Sequence, residues 1–386
     1  MRPVNLQNSQ KLPIIGVDAS RSSVLQRTGT ENYSLQMINA LIEAKTKYVW
    51  RLYYRDSPIS THFSTSSLVE SKVMASPIAW THLRLSAELA FNPPDLLFVP
   101  AHVLPIYCPV PSIVTVHDLG FMHYPSMHPP LQLTYLRWST SHNVRHASHV
   151  IADSEATKKD IINHYQIEPK KITVVYPGFD PKLYANPDQK HVFPNLPDSY
   201  ILHVGTLHPR KGLVVLLKAI AELRERNTNL SLVCAGREGW MMSSIRKQVE
   251  SLDIENMVHF VGFVPQEHLP TLYSRAKLTV LPSLYEGFGY TTLESMAAAT
   301  PVVCTTAGSL PEVVGEAALT VPADDSVSLA DAVNTILENH ALRKNLIAKG
   351  LKRCEMFSWT SATNQTLAII EQILRAKDSH VSNTHF

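Results

Sequence analysis

Residues 277–305 read KLTVLPSLYEGFGYTTLESMAAATPVVCT. An unbroken apolar run ends at Pro282, a glycine-bearing loop follows, helix-forming residues begin around Tyr290 to Thr292, and a second apolar run covers 301–305. Continuous apolar runs, unlike alternating ones, are what strands buried on both faces of a parallel sheet require. The segment is therefore a strand–loop–helix–strand unit. Its loop aims free backbone N–H groups and the positive end of a helix dipole at whatever lies beyond the strand. Gly287 and Gly289 allow close backbone approach there. Glu286 stands in the loop and Glu294 in the early turns of the helix, where a carboxylate can accept hydrogen bonds from paired hydroxyls. Two glutamates eight apart can equally be a solvated pair around a turn. The loop, the glycines and the strand–helix setting favour a site.

The same pattern extends in both directions. Strand candidates precede the segment at 14–19, 49–54, 95–99, 112–117, 149–153 and 172–176, and a second series runs 200–205, 230–235, 258–262, 277–281, 301–305 and 318–321. Helix spacing fills the intervals: Leu213, Leu216, Leu217, Ile220 and Leu223 form one apolar stripe. Alternating strands and helices imply right-handed crossovers and a parallel sheet, and two series imply two doubly wound, Rossmann-like α/β domains. The stretch 176–199, with five prolines, has no obvious element and reads as the connection. The boundaries drawn are 1–178 for the first domain, 179–198 for the linker and 199–357 for the second, with a last helix at 359–376 and a polar, loose tail at 378–386. In open sheets of this kind ligands sit at the carboxyl ends of strands, so the cleft between two such domains is the natural site.

Composition narrows the classes. The 386 residues suit two domains of ordinary size. Hydrophobic residues at 45% and charged residues at 18% mark a folded chain, and a net charge of +2 argues against a nucleic-acid partner. Four scattered cysteines form no CxxC pair, so neither a disulfide framework nor a zinc site is expected. The N-terminus lacks an apolar signal core and no stretch of about 18 apolar residues occurs, which makes a cytoplasmic location the default expectation.

Five further motifs follow strand candidates. In His203-Val-Gly-Thr-Leu-His-Pro-Arg-Lys-Gly212, Arg210 and Lys211 stand at a helix start, where cations oppose the dipole and make sense if an anion binds. No Asp-x-Asp is present to hold a divalent metal, so these cations would neutralise the anion. An exposed basic turn is the plain alternative. Val114-Thr-Val-His-Asp-Leu-Gly120 ends a strand on His117, with Asp118 able to cap the next helix. Thr28-Gly-Thr-Glu-Asn32 places Gly29 and Thr30 in a loop after the first strand, or in an ordinary helix cap. Ala235-Gly-Arg-Glu-Gly-Trp240 and Val261-Gly-Phe-Val-Pro265 close two later strands, as a site or as plain turns.

Glu-Gly-Phe-Gly…Glu, followed by Ala-Thr-Pro-Val-Val at 299–303 and Ser-Leu-Pro-Glu-Val at 309–313, resembles the retaining nucleotide-sugar glycosyltransferases of the GT-B fold, group 1 or family 4 type. The resemblance covers almost the whole chain. It implies two Rossmann-like domains facing a cleft, with the C-terminal helix crossing back to the first. It implies transfer of a hexose from a nucleotide-diphosphate sugar to a saccharide or lipid-linked acceptor, with no cofactor and no metal. Glu286 would contact the donor sugar and Glu294 the ribose hydroxyls. The N–H groups of Phe288, Gly289 and Tyr290, with Thr291 beside them, would hold sugar or diphosphate, although Tyr290-Thr291-Thr292 stands where the family often has an apolar residue and proline. Gly205 and Thr206 border the donor, Thr206 replacing an Arg that many members carry. His117 would face the donor sugar and assist geometry and charge; Gly29 and Thr30 would form the acceptor-side loop. Gly236 and Arg237 would border the diphosphate, and Phe263 and Val264 the nucleobase. The Gly-Arg-Glu-Gly-Trp stretch faintly resembles mannosyltransferases that use GDP-mannose.

The competing classes are an epimerase of the same fold, a non-catalytic nucleotide-sugar sensor and a glycosidase. The last needs paired carboxylates across a scissile bond, and a phosphate-loop kinase is excluded by the absence of GxxxxGK[ST]. Arg137, His142, Arg145, His146 and His149 form a basic stretch that would meet anionic lipid peripherally, at the inner membrane face, if the acceptor is lipid-linked. A solvated helix face is the other reading.

Overall fold

The computed structural model of the chain describes residues 12–24, 29–57, 66–76, 78–101, 103–187, 193, 196–226, 230–239 and 242–383. Thr28 and Trp240, quoted in two motifs, lie outside the described residues. Thirteen strands occur among them: β1 (Ile14–Asp18), β2 (Val49–Tyr54), β3 (Val69–Val73), β4 (Leu96–Val99), β5 (Ser112–Val116), β6 (His149–Ala152), β7 (Ile172–Val174), β8 (Tyr200–Val204), β9 (Ser231–Ala235), β10 (Val258–Gly262), β11 (Thr279–Leu281), β12 (Val302–Thr305) and β13 (Leu319–Val321). They form a seven-stranded sheet in the order β3-β2-β1-β4-β5-β6-β7 and a six-stranded sheet in the order β10-β9-β8-β11-β12-β13. Every pairing is parallel. Both orders reverse beside the first strand of their series, at β1/β4 and β8/β11, and these are the points where a doubly wound sheet opens a crevice.

The strand missed in the sequence is β3. It is an edge strand, VESKV, mostly half-buried or exposed, so it carries no apolar run. Its Glu70 pairs with Arg51 at 2.7 Å and its Lys72 with Glu88 at 2.5 Å. Charges on an edge block pairing with another chain, and the same charges hide the strand from a hydrophobicity reading.

Each sheet is buried on both faces. In the helix Leu213–Glu225, Leu213, Leu216, Leu217, Ile220 and Leu223 are all buried against β8, β9 and β12, as their spacing predicts. Truncating one such leucine to alanine costs about 2–5 kcal/mol. The connection is less bare than its prolines imply. Lys182–Ala185 form a short helix whose Tyr184 is buried edge-on to Tyr273, 6.0 Å between centroids.

The last helix, Trp359–Asn383, buries Ala362, Ile369 and Ile370 among Ile15, Val17 and Met37 of the first sheet's core. It runs through residues expected to form a loose tail. The chain thus crosses between the sheets twice, and the crossings touch. Phe179 N donates to Phe357 O at 3.1 Å, and a Cβ on Gly178 would fall 2.4 Å from Trp359, so only glycine fits there. Among the described residues no helix is long and apolar enough to cross a membrane. Cys234, Cys304 and Cys354 are buried free thiols and Cys108 is half-buried.

Candidate functional site

The loops after β8 and β11 meet at the second sheet's switch point. After β8 the chain turns through Pro209–Lys211, and Gly212 caps the helix that follows. After β11 it runs through an irregular loop to Glu286, with Leu284 N donating to Arg210 O at 2.8 Å. This brings the Lys211 ammonium to 2.5 Å from Glu286 Oε1, which also accepts from Ser283 Oγ at 2.6 Å. Glu286 is only 6% exposed. Burial alone would push its carboxyl up, but Lys211 and Arg210 outweigh burial and hold it below its ordinary value. Arg210 donates to Tyr285 O at 2.7 Å and lies 3.8 Å from Asp118 Oδ2. Buried ion pairs are a poor source of net stability, because desolvation offsets much of the attraction. Two cations converging on one buried carboxylate are better explained by a task. Lys211 has three N–H groups, and the bond to Glu286 uses one of them.

The first sheet presents its own loop ends to this cluster. His117 follows β5, and its Nε2 lies 3.0 Å from the carbonyl of Pro100 beyond β4. A carbonyl only accepts, so Nε2 carries hydrogen. Nδ1 lies 2.6 Å from Asp153 Oδ2. Burial opposes a charge on the ring, yet Asp153 and the Pro100 carbonyl outweigh it and raise His117 above the usual imidazole value. Both ring nitrogens face acceptor oxygens, so both are engaged as donors and neither offers a lone pair to take a proton. Tyr33 packs edge-on to it at 4.9 Å.

The two loop systems are in direct contact. A Cβ on Gly287 would meet the His117 carbonyl oxygen at 2.2 Å, so the Glu286–Gly287 backbone lies flat against His117–Asp118. Tyr124 donates to Leu284 O at 3.1 Å and Tyr285 to Asp160 Oδ2 at 2.5 Å. The Glu312 carboxylate accepts Glu155 N, Ala156 N and the Tyr176 hydroxyl.

Other expected residues fall around this centre. Glu294 lies on the helix Tyr290–Ala297, which Gly289 caps in a left-handed conformation. Its Oε2 accepts the Tyr273 hydroxyl at 2.7 Å; burial raises its carboxyl above the ordinary value, opposed by Tyr273 and Tyr184. Phe288 is buried against Tyr176, Tyr290 and Phe357, Thr291 is half-buried in the first helical turn, and Tyr290 donates to Gly178 O at 3.4 Å. Gly205 lies beside the Lys211 side chain and Thr206 is exposed next to it. Gly236 backs onto Gly205, and Arg237 lies over the Phe263 ring, 5.0 Å from its centroid. Phe263 is 52% exposed, giving a flat aromatic ledge, while Val264 is buried in the second sheet's core. Gly29 and Thr30 are exposed and open the helix Gly29–Glu43, with nothing within 4 Å of a Cβ built on Gly29. That helix reaches the site through Tyr33.

Sequence reasoning passed over Ser283, Asp153, Tyr273 and Tyr285. Asp153 directly follows β6, the kind of position where a doubly wound sheet places site residues. Ser283 and Tyr285 lie inside the quoted segment, but a hydroxyl's partner is invisible before folding. Tyr273 comes from a separate helix and carried no signal at all.

Known proteins share the sequence pattern and the fold of this chain. Residues 186–353 match the family described as glycosyl transferases group 1, and residues 28–183 match glycosyltransferase family 4. The O-antigen chain mannosyltransferase B of Escherichia coli is 31% identical over 268 residues, which is 66% of this chain and 69% of that protein. Sucrose-phosphate synthase of Thermosynechococcus elongatus superposes with a TM-score of 0.75 at 22% identity, over 94% of this chain and 100% of the other. Anabaena HepE, solved in complex with UDP-glucose, superposes with a TM-score of 0.71 at 19% identity, again over 94% and 100%.

Proposed function

The chain belongs to the group 1 glycosyl transferases, and on that premise we propose that it moves a hexose, mannose first among candidates, from a nucleotide-diphosphate sugar to a saccharide or lipid-linked acceptor, with retention at the anomeric carbon and without a metal. One observation carries the reading: Lys211 and Arg210 converge on buried Glu286 at a sheet's switch point. As the bond between the anomeric carbon and the diphosphate oxygen breaks, negative charge grows on the diphosphate, and preplaced cations in a dry site stabilise it. The acceptor oxygen bonds to the anomeric carbon on the face the diphosphate leaves. Its proton passes to the departing phosphate oxygen.

In this reading Glu286 fixes the sugar and Glu294 the ribose, while the N–H groups at 288–290 hold the diphosphate between them. Arg237 and Phe263 offer a stacked surface for the nucleobase. His117, with both nitrogens engaged, contributes fixed positive charge and shape rather than base catalysis. Mannose is drawn from the relative's name, and a uridine nucleotide from the HepE complex keeps UDP-sugars in the panel. The test is nucleoside diphosphate release from GDP-mannose, UDP-glucose and ADP-glucose, with and without a saccharide acceptor, the product's anomeric configuration being read by NMR. Release that needs the acceptor, survives EDTA and retains configuration is expected. Inversion, or an absolute requirement for added Mg2+ or Mn2+, overturns the reading.

A further inference from the structure

One cluster at the seam between the sheets has no part in that chemistry. His123 closes the short helix after Asp118, and Asp160 and His164 lie four apart on the helix Glu155–Tyr165. Residues four apart share a helix face. One ligand atom from each of the three, two imidazole nitrogens and a carboxylate oxygen, lies within 4.8 Å of the other two. We propose that His123, Asp160 and His164 bind a divalent transition metal of the Zn2+ class.

The donor set selects the metal. Imidazole nitrogens suit Zn2+, Co2+ and Ni2+, whereas Mg2+ and Ca2+ demand oxygen ligands. Donors about 2.1 Å from a tetrahedral metal lie about 3.4 Å from one another, so the widest pair of the triad must close by up to about 1.4 Å. The parts able to contract are present. His123 and His164 are exposed, and the His123 Nε2 to Asp160 Oδ2 bond at 2.8 Å already draws two donors together. Tyr285 donates to the same carboxylate at 2.5 Å and stacks on the His123 ring at 4.7 Å, fixing both from outside the ligand set. Three protein ligands leave a fourth position for water. A seam cavity of about 300 Å3, lined by Tyr124, Lys159, Leu284 and Tyr285 among others, provides the room. The Lys159 ammonium opposes a dication, so binding is weaker than at a closed four-ligand site.

Such a metal acts on the seam. Tyr285 comes from the second sheet's loops and directly precedes Glu286, so fixing Asp160 and His123 stiffens the contact that seats the Glu286 loop. The inference does not depend on the proposed reaction. The test is titration of chelator-stripped full-length protein with ZnCl2 by calorimetry, and with CoCl2 by visible absorption. One equivalent of Zn2+ and an intense Co2+ band of low coordination number are expected, both lost in His164→Ala and in Asp160→Asn. Retention is expected in His142→Ala, which breaks the neighbouring His142–His146 pair. No saturable binding, or binding abolished by His142→Ala and untouched by His164→Ala, overturns the proposal; the second outcome marks an adventitious ion only. His164→Ala and Asp160→Asn should melt like the parent, and His123→Ala serves as the alternative if one does not.

Discussion

The Glu312 carboxylate accepts the backbone N–H of Ala156 at 2.9 Å, so a side chain from the second sheet's helix Leu310–Val314 caps a helix of the first. The same group takes the Glu155 N–H at 3.0 Å and the Tyr176 hydroxyl at 2.8 Å. A helix N-terminus favours an anion, and here the anion arrives from across the seam. Contact between the sheets is thereby built into a helix cap. Glu312→Ala should shift the seam toward opening by about 1–2 kcal/mol, the usual worth of a cap. The expected result is a donor KM raised about tenfold with a smaller change in kcat. Small-angle scattering should show a larger radius of gyration. An unchanged radius and KM would show that Glu312 holds nothing closed.

Glu286, Lys211 and Glu294 should separate kinetically. Glu286→Gln and Lys211→Ala should lower kcat by about a hundredfold or more, the usual loss when one preplaced charge-stabilising group is removed. Glu294→Ala should chiefly raise the donor KM, by about tenfold for a lost charged hydrogen bond. Steady-state kinetics on the three variants decides this, and near-normal values in all of them would sink the site assignment.

Gly287→Ala places a methyl 2.2 Å from the His117 carbonyl oxygen. Something must move, and the softest response is separation of the two loop systems rather than distortion of either sheet. Activity should fall more than about a hundredfold, since small misplacements at a reacting centre are costly. The melting temperature should stay near that of the parent. Full activity would mean that the two backbones need not touch during turnover.

Asp18 closes β1 at the first sheet's switch point. It is fully buried, one oxygen accepts Ser20 N at 3.0 Å, and Oδ2 has no hydrogen-bond partner. Burial pushes its carboxyl from 3.8 up to about 6. A folded value above the unfolded one means that the associated stability is present below 3.8 and is lost as pH rises through about 6. The loss approaches roughly 3 kcal/mol at pH 8, at about 1.4 kcal/mol per unit. Asp18→Asn should therefore unfold at higher denaturant than the parent at pH 8, with the gap narrowing toward pH 4. A gap that does not vary with pH would remove ionisation of Asp18 as its cause.

What could be read in advance followed a physical divide. The central strands announced themselves because a strand buried on both faces must be apolar throughout, as Ile201–Leu202 and Val302–Val303 are, and the edge strands β7, β10 and β13 still carry short apolar runs. The edge strand at 69–73 obeys the opposite demand and stayed hidden. Lys211 and Glu286 were legible as residues, because cations at a helix start and a carboxylate in a glycine loop are locally anomalous. Their mutual distance was not legible, since it depends on how β8 and β11 sit side by side across 75 residues of chain. The same holds for Tyr273 on Glu294, where nothing local to either residue names the other. Phe263 and Val264 were treated alike in the sequence, yet one is exposed and the other buried, a difference set by the turn that carries them.

The paired crossings at Phe179 and Phe357 make the second sheet and its helices an insertion within the first, held by two covalent tethers instead of one. A body on two adjoining tethers bends about their common line but does not spin freely about either. The loops bearing His117 and Glu286 are thus kept at a high effective concentration relative to each other, and reopening costs little in lost register. Cleaving either tether should leave both cores folded while letting the two faces drift, turning a rehearsed encounter into a diffusive search.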